Sequence, residues 1–160
     1  MSAAGYAALR FNEGVVMHYY NDAPVNGNCT WGIGTLAHLG PCTPEELQRT
    51  VLPEQANAIL QTRIRDAEQR VRAIVTDQQL TQEQFDAAVS FAYNSSRQNT
   101  YDALVPANRG DMALVARKMM LNVMLTPRDR NGRKIGPAKL SRGLLNRRQR
   151  ESAPFRQGAR

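Results

Sequence analysis

The sequence predicts an α+β fold that is mostly helical and has a small β lobe near its N-terminus. β-Branched and aromatic residues gather between residues 15 and 36, among turn formers. The 160 residues suffice for one domain with a real hydrophobic core, and we expect residues 1–160 to form it. Apolar residues otherwise recur at helical spacing, most clearly in the stripe Leu60, Ile64, Ala67, Val71 and Ile74.

The N-terminal quarter predicts a helix followed by a short sheet. Small and apolar residues at steps of three and four predict a helix over residues 2–12, which Gly14 ends. Residues 15–20 predict a strand, residues 21–28 a turn, and residues 30–36 a returning strand. We therefore expect a hairpin or a three-stranded sheet.

Capping signals place the remaining helices. Thr43 and Thr81 each begin a capping box, and Asp111 is a typical N-cap. Residues 126–138 predict a basic loop or hairpin, with a tight turn at Asn131-Gly132. The helices are expected over residues 43–50, 54–75, 81–94, 100–104 and 112–125, and from about residue 141 to just before Pro154.

The sequence shows no pattern typical of a membrane-spanning helix or of a signal peptide. No stretch approaches the roughly 18 consecutive apolar residues of a spanning helix. The N-terminus lacks a basic segment followed by an apolar one. We therefore expect synthesis in the cytoplasm without a signal peptide.

The cysteines and histidines are too few for a metal site. Cys29 and Cys42 are the only cysteines, and His18 and His38 the only histidines. Two free thiols in a reducing cytosol are the favoured interpretation, and a single bridge formed after export is the alternative. We predict no metal and no cofactor.

Positive charge is concentrated at the C-terminus. The net charge is +7, yet residues 127–160 carry eleven Lys/Arg against two acids, so that segment is +9 and the rest is −2. Such a segment attracts polyanions: nucleic acid, anionic lipid or acidic envelope polymers. Clustered arginines without interleaved aromatics are a weak signal for nucleic acid, so we expect no specific nucleic-acid partner. The alternative function is a basic nucleic-acid- or envelope-binding module without catalysis.

Two carboxylates and a hydroxyl lie close together in the N-terminal segment. Glu13 lies at the C-terminal end of the first predicted helix, just before Gly14, where the helix dipole and nearby aromatic residues disfavour its ionised form. Asp22 lies in a polar turn and should stay ionised, and Thr30 begins a glycine-rich strand. Glycosidic cleavage needs such a pair of acids. On these residues alone, a surface charge and a turn-forming aspartate are the commoner uses.

Five short segments resemble one enzyme family. Glu13-Gly14, Tyr20–Asp22 and Thr30–Gly34 resemble the catalytic segment of the phage-type lysozymes, the endolysin muramidases. Ser90–Asn94 resembles the end of that family's buried central helix. Arg142–Glu151 resembles its C-terminal Gly-Leu-x-x-Arg-Arg-x-x-Glu signature. The resemblance spans most of the chain and implies a lysozyme-like fold, in which the β lobe and the helical lobe meet at a sugar cleft.

The resemblance also implies an activity and its residues. It implies cleavage of the β-1,4 bond between N-acetylmuramic acid and N-acetylglucosamine in peptidoglycan, which lyses bacterial walls. Glu13 resembles the general acid, Asp22 the second carboxylate and Thr30 the water-positioning hydroxyl. Either Arg147 or Arg148 would pair with Glu13. The turn between Asp22 and Thr30 is longer than is common in the family.

Three further residues are proposed to contact the sugar: Trp31, Asn94 and Tyr101. Trp31 would equally serve to pack the small lobe against the large one. The expected partners are peptidoglycan and anionic envelope polymers. We expect a monomer that reaches the periplasmic wall after holin release or through a secretion system.

Overall fold

The computed structural model describes residues 1–14, 16–23, 27–127 and 133–156. The helices in these ranges are α1 (Ala3–Glu13), α2 (Pro44–Leu47), α3 (Pro53–Ile74), α4 (Gln82–Asn94), α5 (Arg97–Leu104), α6 (Met112–Met120) and α7 (Arg142–Arg156), with a 3-10 turn at Val105–Arg109. The strands are β1 (Val16–Asn21), β2 (Cys29–Gly32), β3 (Thr35–His38), β4 (Met124–Leu125) and β5 (Lys139–Leu140). The predicted α+β fold, mostly helical with a small N-terminal β lobe, is confirmed.

The β lobe is an antiparallel sheet in the order β1-β2-β3. Thr30 pairs with Tyr20 on one side and with Leu36 on the other. The expected three-stranded sheet is confirmed, but the single strand predicted over residues 30–36 is wrong. Ile33-Gly34 forms a turn there, and Gly34 adopts φ +76°, a backbone conformation that glycine accepts without strain.

Helix α4 lies at the centre of the helical lobe. Its residues Ala88 to Ala92 are all buried, and α4 packs against α1, α3 and α7. Leu9 of α1 and Phe155 of α7 are fully buried in the same core. The α3 stripe predicted from the sequence is buried in this core as far as Val71, while Ile74 is half-buried. A helix buried on several sides explains the near-continuous apolar run in α4.

Helix α1 is fixed by hydrogen bonds at its start and ends at Glu13. The Ser2 hydroxyl accepts a hydrogen bond from the Gly5 N–H at 3.1 Å, and the Ser2 N–H donates to Asp86 Oδ1 of α4 at 2.9 Å. At the other end Gly14 adopts φ +57°, the left-handed conformation that closes many helices. The chain therefore leaves α1 directly after Glu13.

Helix α6 is shorter than the sequence predicts. It ends at Met120, and the predicted continuation to Leu125 is wrong, because Met124–Leu125 pairs with Lys139–Leu140 as β4 and β5. This pairing is consistent with the hairpin alternative for residues 126–138. The predicted tight turn at Asn131-Gly132 lies outside the described residues.

Helix α7 is longer than the sequence predicts. It continues through Pro154 to Arg156, although proline inside a helix removes one hydrogen bond. Phe155 is completely buried in the core, and this burial holds the last turn in place. Among the helices of the described ranges, none is both long enough and apolar enough to span a bilayer.

Candidate active site

Glu13 lies at the C-terminal end of α1, where α7 covers it. Its side chain is 15% exposed, and Arg147 Nη1 donates to Glu13 Oε1 at 2.7 Å. In the part of the chain that the structure describes, no hydrogen bond engages Glu13 Oε2. A half-buried carboxyl group thus has one oxygen held by a cation and the other free.

Arg147 connects Glu13 to the core. Its Nε donates to Glu151 Oε1 at 2.8 Å, and its Nη2 donates to the Ser90 carbonyl oxygen at 3.1 Å. Burial acts to lower the pKa of Arg147, but the carboxylates of Glu151 and Glu13 outweigh it and raise that pKa above its usual value. Arg147 therefore stays charged between two acids.

Glu151 is a buried carboxylate with a complete set of partners. Its side chain is 3% exposed, and Oε1 also accepts from the Ser90 hydroxyl at 2.6 Å. Its Oε2 accepts from Arg148 Nη1. Every formal charge in this buried group is hydrogen-bonded, which buried ion pairs require.

Of the two arginines named from the sequence, Arg148 points away from Glu13. Its guanidinium carbon lies 4.5 Å from the centre of the Phe91 ring, and its Nη2 donates to Asn94 Oδ1 at 3.0 Å and Ser95 Oγ at 3.1 Å. Burial lowers the pKa of Arg148, and Glu151 opposes this shift. Arg148 thus anchors Glu151, whereas Arg147 contacts Glu13.

Asp22 and Thr30 share one backbone group, that of Asn28. The Asn28 N–H donates to Asp22 Oδ1 at 2.7 Å, and its carbonyl oxygen accepts from the Thr30 hydroxyl at 3.3 Å. The same carbonyl accepts from the Asp22 N–H at 3.1 Å. Asp22 is exposed, whereas Thr30 is 4% exposed. The structure thus links these two side chains through Asn28, and it links Glu13 separately to α7.

The two cysteines are bonded to each other. Cys29 in β2 and Cys42, which precedes α2, form a disulfide, so the favoured interpretation of two free thiols is wrong. The β lobe brings their Cα atoms to 4.5 Å, because the Cys29 N–H donates to the Gly40 carbonyl at 2.7 Å. The Cys42 N–H in turn donates to Asn21 Oδ1 at 2.8 Å. The bridge lies directly beside the turn that carries Asp22.

Potential metal ligands come together only near this disulfide within the described ranges. Ligand atoms of Cys29, Cys42 and Glu46 lie within 4.8 Å of one another. Both sulfurs belong to the disulfide and cannot act as thiolate ligands. The Glu46 carboxylate is therefore the one remaining potential metal ligand of the three. That carboxylate already accepts from the Thr43 N–H at 2.7 Å and contacts His38 Nε2 at 3.0 Å.

The proposed sugar-contacting residues lie on three different elements. Trp31 in β2 is half-buried and stacks on Tyr19, with ring centres 6.1 Å apart and planes inclined by 21°. Asn94 ends α4, where its side-chain oxygen accepts from Arg148. Tyr101 on α5 is 51% exposed. Trp31 thus packs within the β lobe while retaining an exposed portion.

Tyr93 is a neighbour of Glu13 that the sequence alone did not identify. Its hydroxyl is buried and lies beside the Arg63 side chain, without a hydrogen bond of ordinary length and angle among the described residues. Burial, and then the negative charge of Glu13, raise the pKa of Tyr93, while Arg63 and Arg147 act to lower it. Tyr93 therefore remains a neutral phenol beside the acid.

Sequence reasoning also missed the supporting roles of Asn28, Ser90 and Glu151. A signal existed for two of them, because Ser90 begins the Ser90–Asn94 segment and Glu151 ends the C-terminal signature. The resemblance of these two segments does not by itself indicate a role for either residue. Asn28 lies in a run of turn formers, and nothing in that composition indicates which residue holds Asp22.

Comparisons with known proteins identify the family and the fold. The family model "Phage lysozyme" matches residues 10–151. An endolysin from Escherichia coli O157:H7 phage FAHEc1 is 27% identical, with a TM-score of 0.77 over 96% of this chain and 91% of that chain. The muramidase domain of SpmX from Asticaccaulis excentricus is 26% identical, with a TM-score of 0.72 over 96% of this chain and 95% of that chain.

A P22 lysozyme mutant shares the fold at 22% identity, with a TM-score of 0.66 over 97% of each chain. No curated protein sequence matches this one. The family match spans the end of α1, the β lobe and α7 as far as Glu151, which are the elements that carry the acids and their partners. The chain therefore belongs to the phage lysozyme family of peptidoglycan-degrading glycoside hydrolases.

Proposed function

We propose that this enzyme cleaves the β-1,4 bond between N-acetylmuramic acid and N-acetylglucosamine, with Glu13 as the general acid. The environment of Glu13 carries the proposal. Its side chain is 15% exposed, and only Oε1 is hydrogen-bonded in the described part of the chain. A free Oε2 can hold the proton that the leaving glycosidic oxygen requires. The hydrogen bond from Arg147 keeps the carboxyl group oriented.

Asp22 is proposed as the second carboxylate and Thr30 as the hydroxyl that positions water. Asp22 is exposed in a polar turn, and the Asn28 N–H donates to its Oδ1, which orients the carboxyl group. The Thr30 hydroxyl donates to the Asn28 carbonyl, which leaves its oxygen lone pairs available to a water proton. Asp22 would then activate that water or stabilise the positive charge that develops on the sugar.

Three residues are proposed to contact the glycan. Trp31 offers the part of its ring that Tyr19 does not cover, and Tyr101 offers an exposed aromatic face. Asn94 has its side-chain oxygen committed to Arg148, so its amide group would donate to a sugar oxygen.

The basic C-terminal segment is proposed to hold the enzyme on the negatively charged wall. Arg147 and Arg148 are buried in ion pairs and do not contribute to an attractive surface. Exposed cations in the described part of the segment remain, at Arg133, Lys134, Lys139, Arg142, Arg150 and Arg156.

We further propose that residues 1–160 act as one monomeric domain and reach the periplasmic wall after holin release or through a secretion system.

The deciding experiment compares the wild type with Glu13→Gln on Gram-negative cells stripped of their outer membrane. We expect wild type to clear the suspension and to release muropeptides with reducing muramic-acid ends, identified by mass spectrometry. The variant should lose at least about 10²-fold in rate, since it cannot supply the proton. Glu45→Gln, an exposed carboxyl group on α2, is the matched control and should behave as wild type.

Two results would contradict the proposal. Full activity of a folded Glu13→Gln variant would exclude Glu13 as the acid. Products with reducing glucosamine ends would show that a different bond is cleaved.

A further inference from the structure

We propose that Glu151 is a positioning residue that restricts Arg147 to a single hydrogen bond with Glu13. This inference rests on the proposed role of Glu13 as the general acid. Glu151 and the Ser90 carbonyl accept hydrogen bonds from two of the three Arg147 nitrogens. One nitrogen is left for Glu13, so Glu13 Oε2 stays available to carry the catalytic proton. Its contribution to the reaction is thus made through Arg147, without contact with the substrate.

The first argument is how Arg147 distributes its donors. Each of its three nitrogens has its own acceptor: Nε donates to Glu151 Oε1 at 2.8 Å, Nη1 to Glu13 Oε1 at 2.7 Å and Nη2 to the Ser90 carbonyl at 3.1 Å. A two-point pair between arginine and a carboxylate uses two of these nitrogens. Such a pair would hold Glu13 in its ionised form more strongly than one hydrogen bond does.

The second argument is the rigidity of the anchor. Glu151 is 3% exposed, and its Oε1 also accepts from the Ser90 hydroxyl at 2.6 Å. Its Oε2 is held by Arg148, which is 2% exposed. Arg148 is itself fixed by the Phe91 ring and by three acceptors: Asn94 Oδ1, Ser95 Oγ and the Asn122 carbonyl. These hydrogen bonds fix both side chains, so Arg147 is presented to Glu13 in one orientation.

The third argument is the balance of charge. Two carboxylates, Glu13 and Glu151, face two guanidinium groups, Arg147 and Arg148, in a largely buried cluster. Tyr93 of α4 lies close enough to Glu13 for the negative charge of Glu13 to raise the pKa of Tyr93. Arg63 of α3 lies beside Tyr93. Arg150 of α7 binds Asn12, next to Glu13. Removing the charge of Glu151 would leave this cluster net positive and favour the ionised form of Glu13.

The test is Glu151→Gln, which keeps the shape, removes the charge and replaces the charge-assisted bond that holds Arg147 Nε by a weaker neutral one. We expect the alkaline limb of kcat/KM against pH to move to lower pH by about one unit, because one unit corresponds to a tenfold change in the protonation equilibrium. On that limb activity falls about tenfold, while on the acidic plateau it stays within about twofold. A purely structural role would lower activity equally at every pH. Glu83→Gln, a neutralised exposed glutamate on α4, is the matched control and should leave the limb in place.

A milder variant covers the case in which Glu151→Gln does not fold. Ser90→Ala removes only the hydrogen bond from the Ser90 hydroxyl to Glu151 Oε1, so Glu151 should hold Arg147 less firmly and the limb should move in the same direction by a smaller amount. A limb that stays at the wild-type pH in either folded variant would overturn the proposal.

A substrate-free measurement separates this inference from the proposed function. The carbon-13 chemical shift of the Glu13 carboxyl group, followed against pH, should show a midpoint at lower pH in Glu151→Gln than in wild type. An unmoved midpoint overturns the positioning role. A moved midpoint together with an active Glu13→Gln enzyme would instead support the positioning role and reject Glu13 as the acid.

Discussion

Asn28 holds Asp22 through a reciprocal pair of backbone contacts. The Asn28 N–H donates to Asp22 Oδ1 at 2.7 Å, and the Asp22 N–H donates to the Asn28 carbonyl at 3.1 Å. The Thr30 hydroxyl donates to the same carbonyl. The proposed second carboxylate and the proposed water-positioning hydroxyl are therefore set by one turn, and a change in that turn displaces both.

Gly27→Ala should disrupt this turn. An alanine Cβ would clash with the Ala23 carbonyl oxygen and lie 2.6 Å from the Ala23 nitrogen, and backbone atoms cannot move aside without opening the turn. We expect activity to fall about 10²-fold, as a displacement of about 1 Å at an active site can do. The measurement is the initial rate of muropeptide release, together with circular dichroism to establish folding.

Gly143→Ala is the matched control for this substitution. Its Cβ would meet only Ser141 Oγ at 3.9 Å, an ordinary contact in the first turn of α7. Activity should be unchanged, and stability equal to wild type or up to about 1 kcal/mol higher, from helix propensity. Equal activity of Gly27→Ala and Gly143→Ala would show that the turn is not needed in this form.

Reduction of the Cys29–Cys42 disulfide should destabilise the protein. The bridge closes a loop between residues 13 positions apart, and cross-links of that length contribute about 3 kcal/mol to the free energy of unfolding. Urea unfolding with and without a thiol reductant measures this difference. A double Cys29→Ser, Cys42→Ser variant should unfold at one urea concentration under both conditions. Thiol titration that finds two free thiols in the oxidised protein would contradict the pairing.

The pair His38–Glu46 should make stability depend on pH. The pKa of His38 lies above its ordinary value of 6.5, first because the charged ring donates to the Leu39 carbonyl and then because of Glu46. The pKa of Glu46 lies below its ordinary value of 4.5, first because the carboxylate accepts from the Thr43 N–H and then because of His38. The His38 contribution is complete below 6.5 and is lost as pH rises through the raised pKa.

The Glu46 contribution has the opposite sign. It is present above 4.5 and is lost as pH falls through the lowered pKa, so both contributions are complete only between these values. Melting temperatures measured from about pH 4 to about pH 9 should decline above this window in wild type and less steeply in His38→Gln. His18→Gln, the other histidine, should retain the wild-type decline. Superimposable curves for wild type and His38→Gln would count against the predicted contribution.

Local signals in the sequence were sufficient for most of the helices. Thr43 and Thr81 form the capping boxes expected of them, because a cap involves only residues within one turn. The predicted length of α6 was wrong because its end depends on residues that are far apart in the chain. Met124 and Leu125 continue the apolar pattern, but their partners Lys139 and Leu140 lie across a loop, and pairing over that distance leaves no local trace.

In the candidate site too, short segments indicated the residues, and packing decided their contacts. Glu13, Asp22 and Thr30 were named from short segments, and their catalytic roles remain predictions. The sequence placed Arg147 and Arg148 equally near Glu13, because they are adjacent in one signature. Consecutive residues on a helix point about 100° apart, so the packing of α7 decided that Arg147 contacts Glu13 and Arg148 does not.

What the sequence determined by itself was most of the helices, the N-terminal β lobe and the family resemblance, because periodicity, caps and motifs are short-range patterns. Only the tertiary structure decided the Cys29–Cys42 bridge, the division of Arg147 between Glu13 and Glu151, and the hold of Asn28 on Asp22. Each of these depends on distances between elements that are separated in the chain. Such distances are set by how α1, α4 and α7 bury their faces together and by how the β lobe folds on itself.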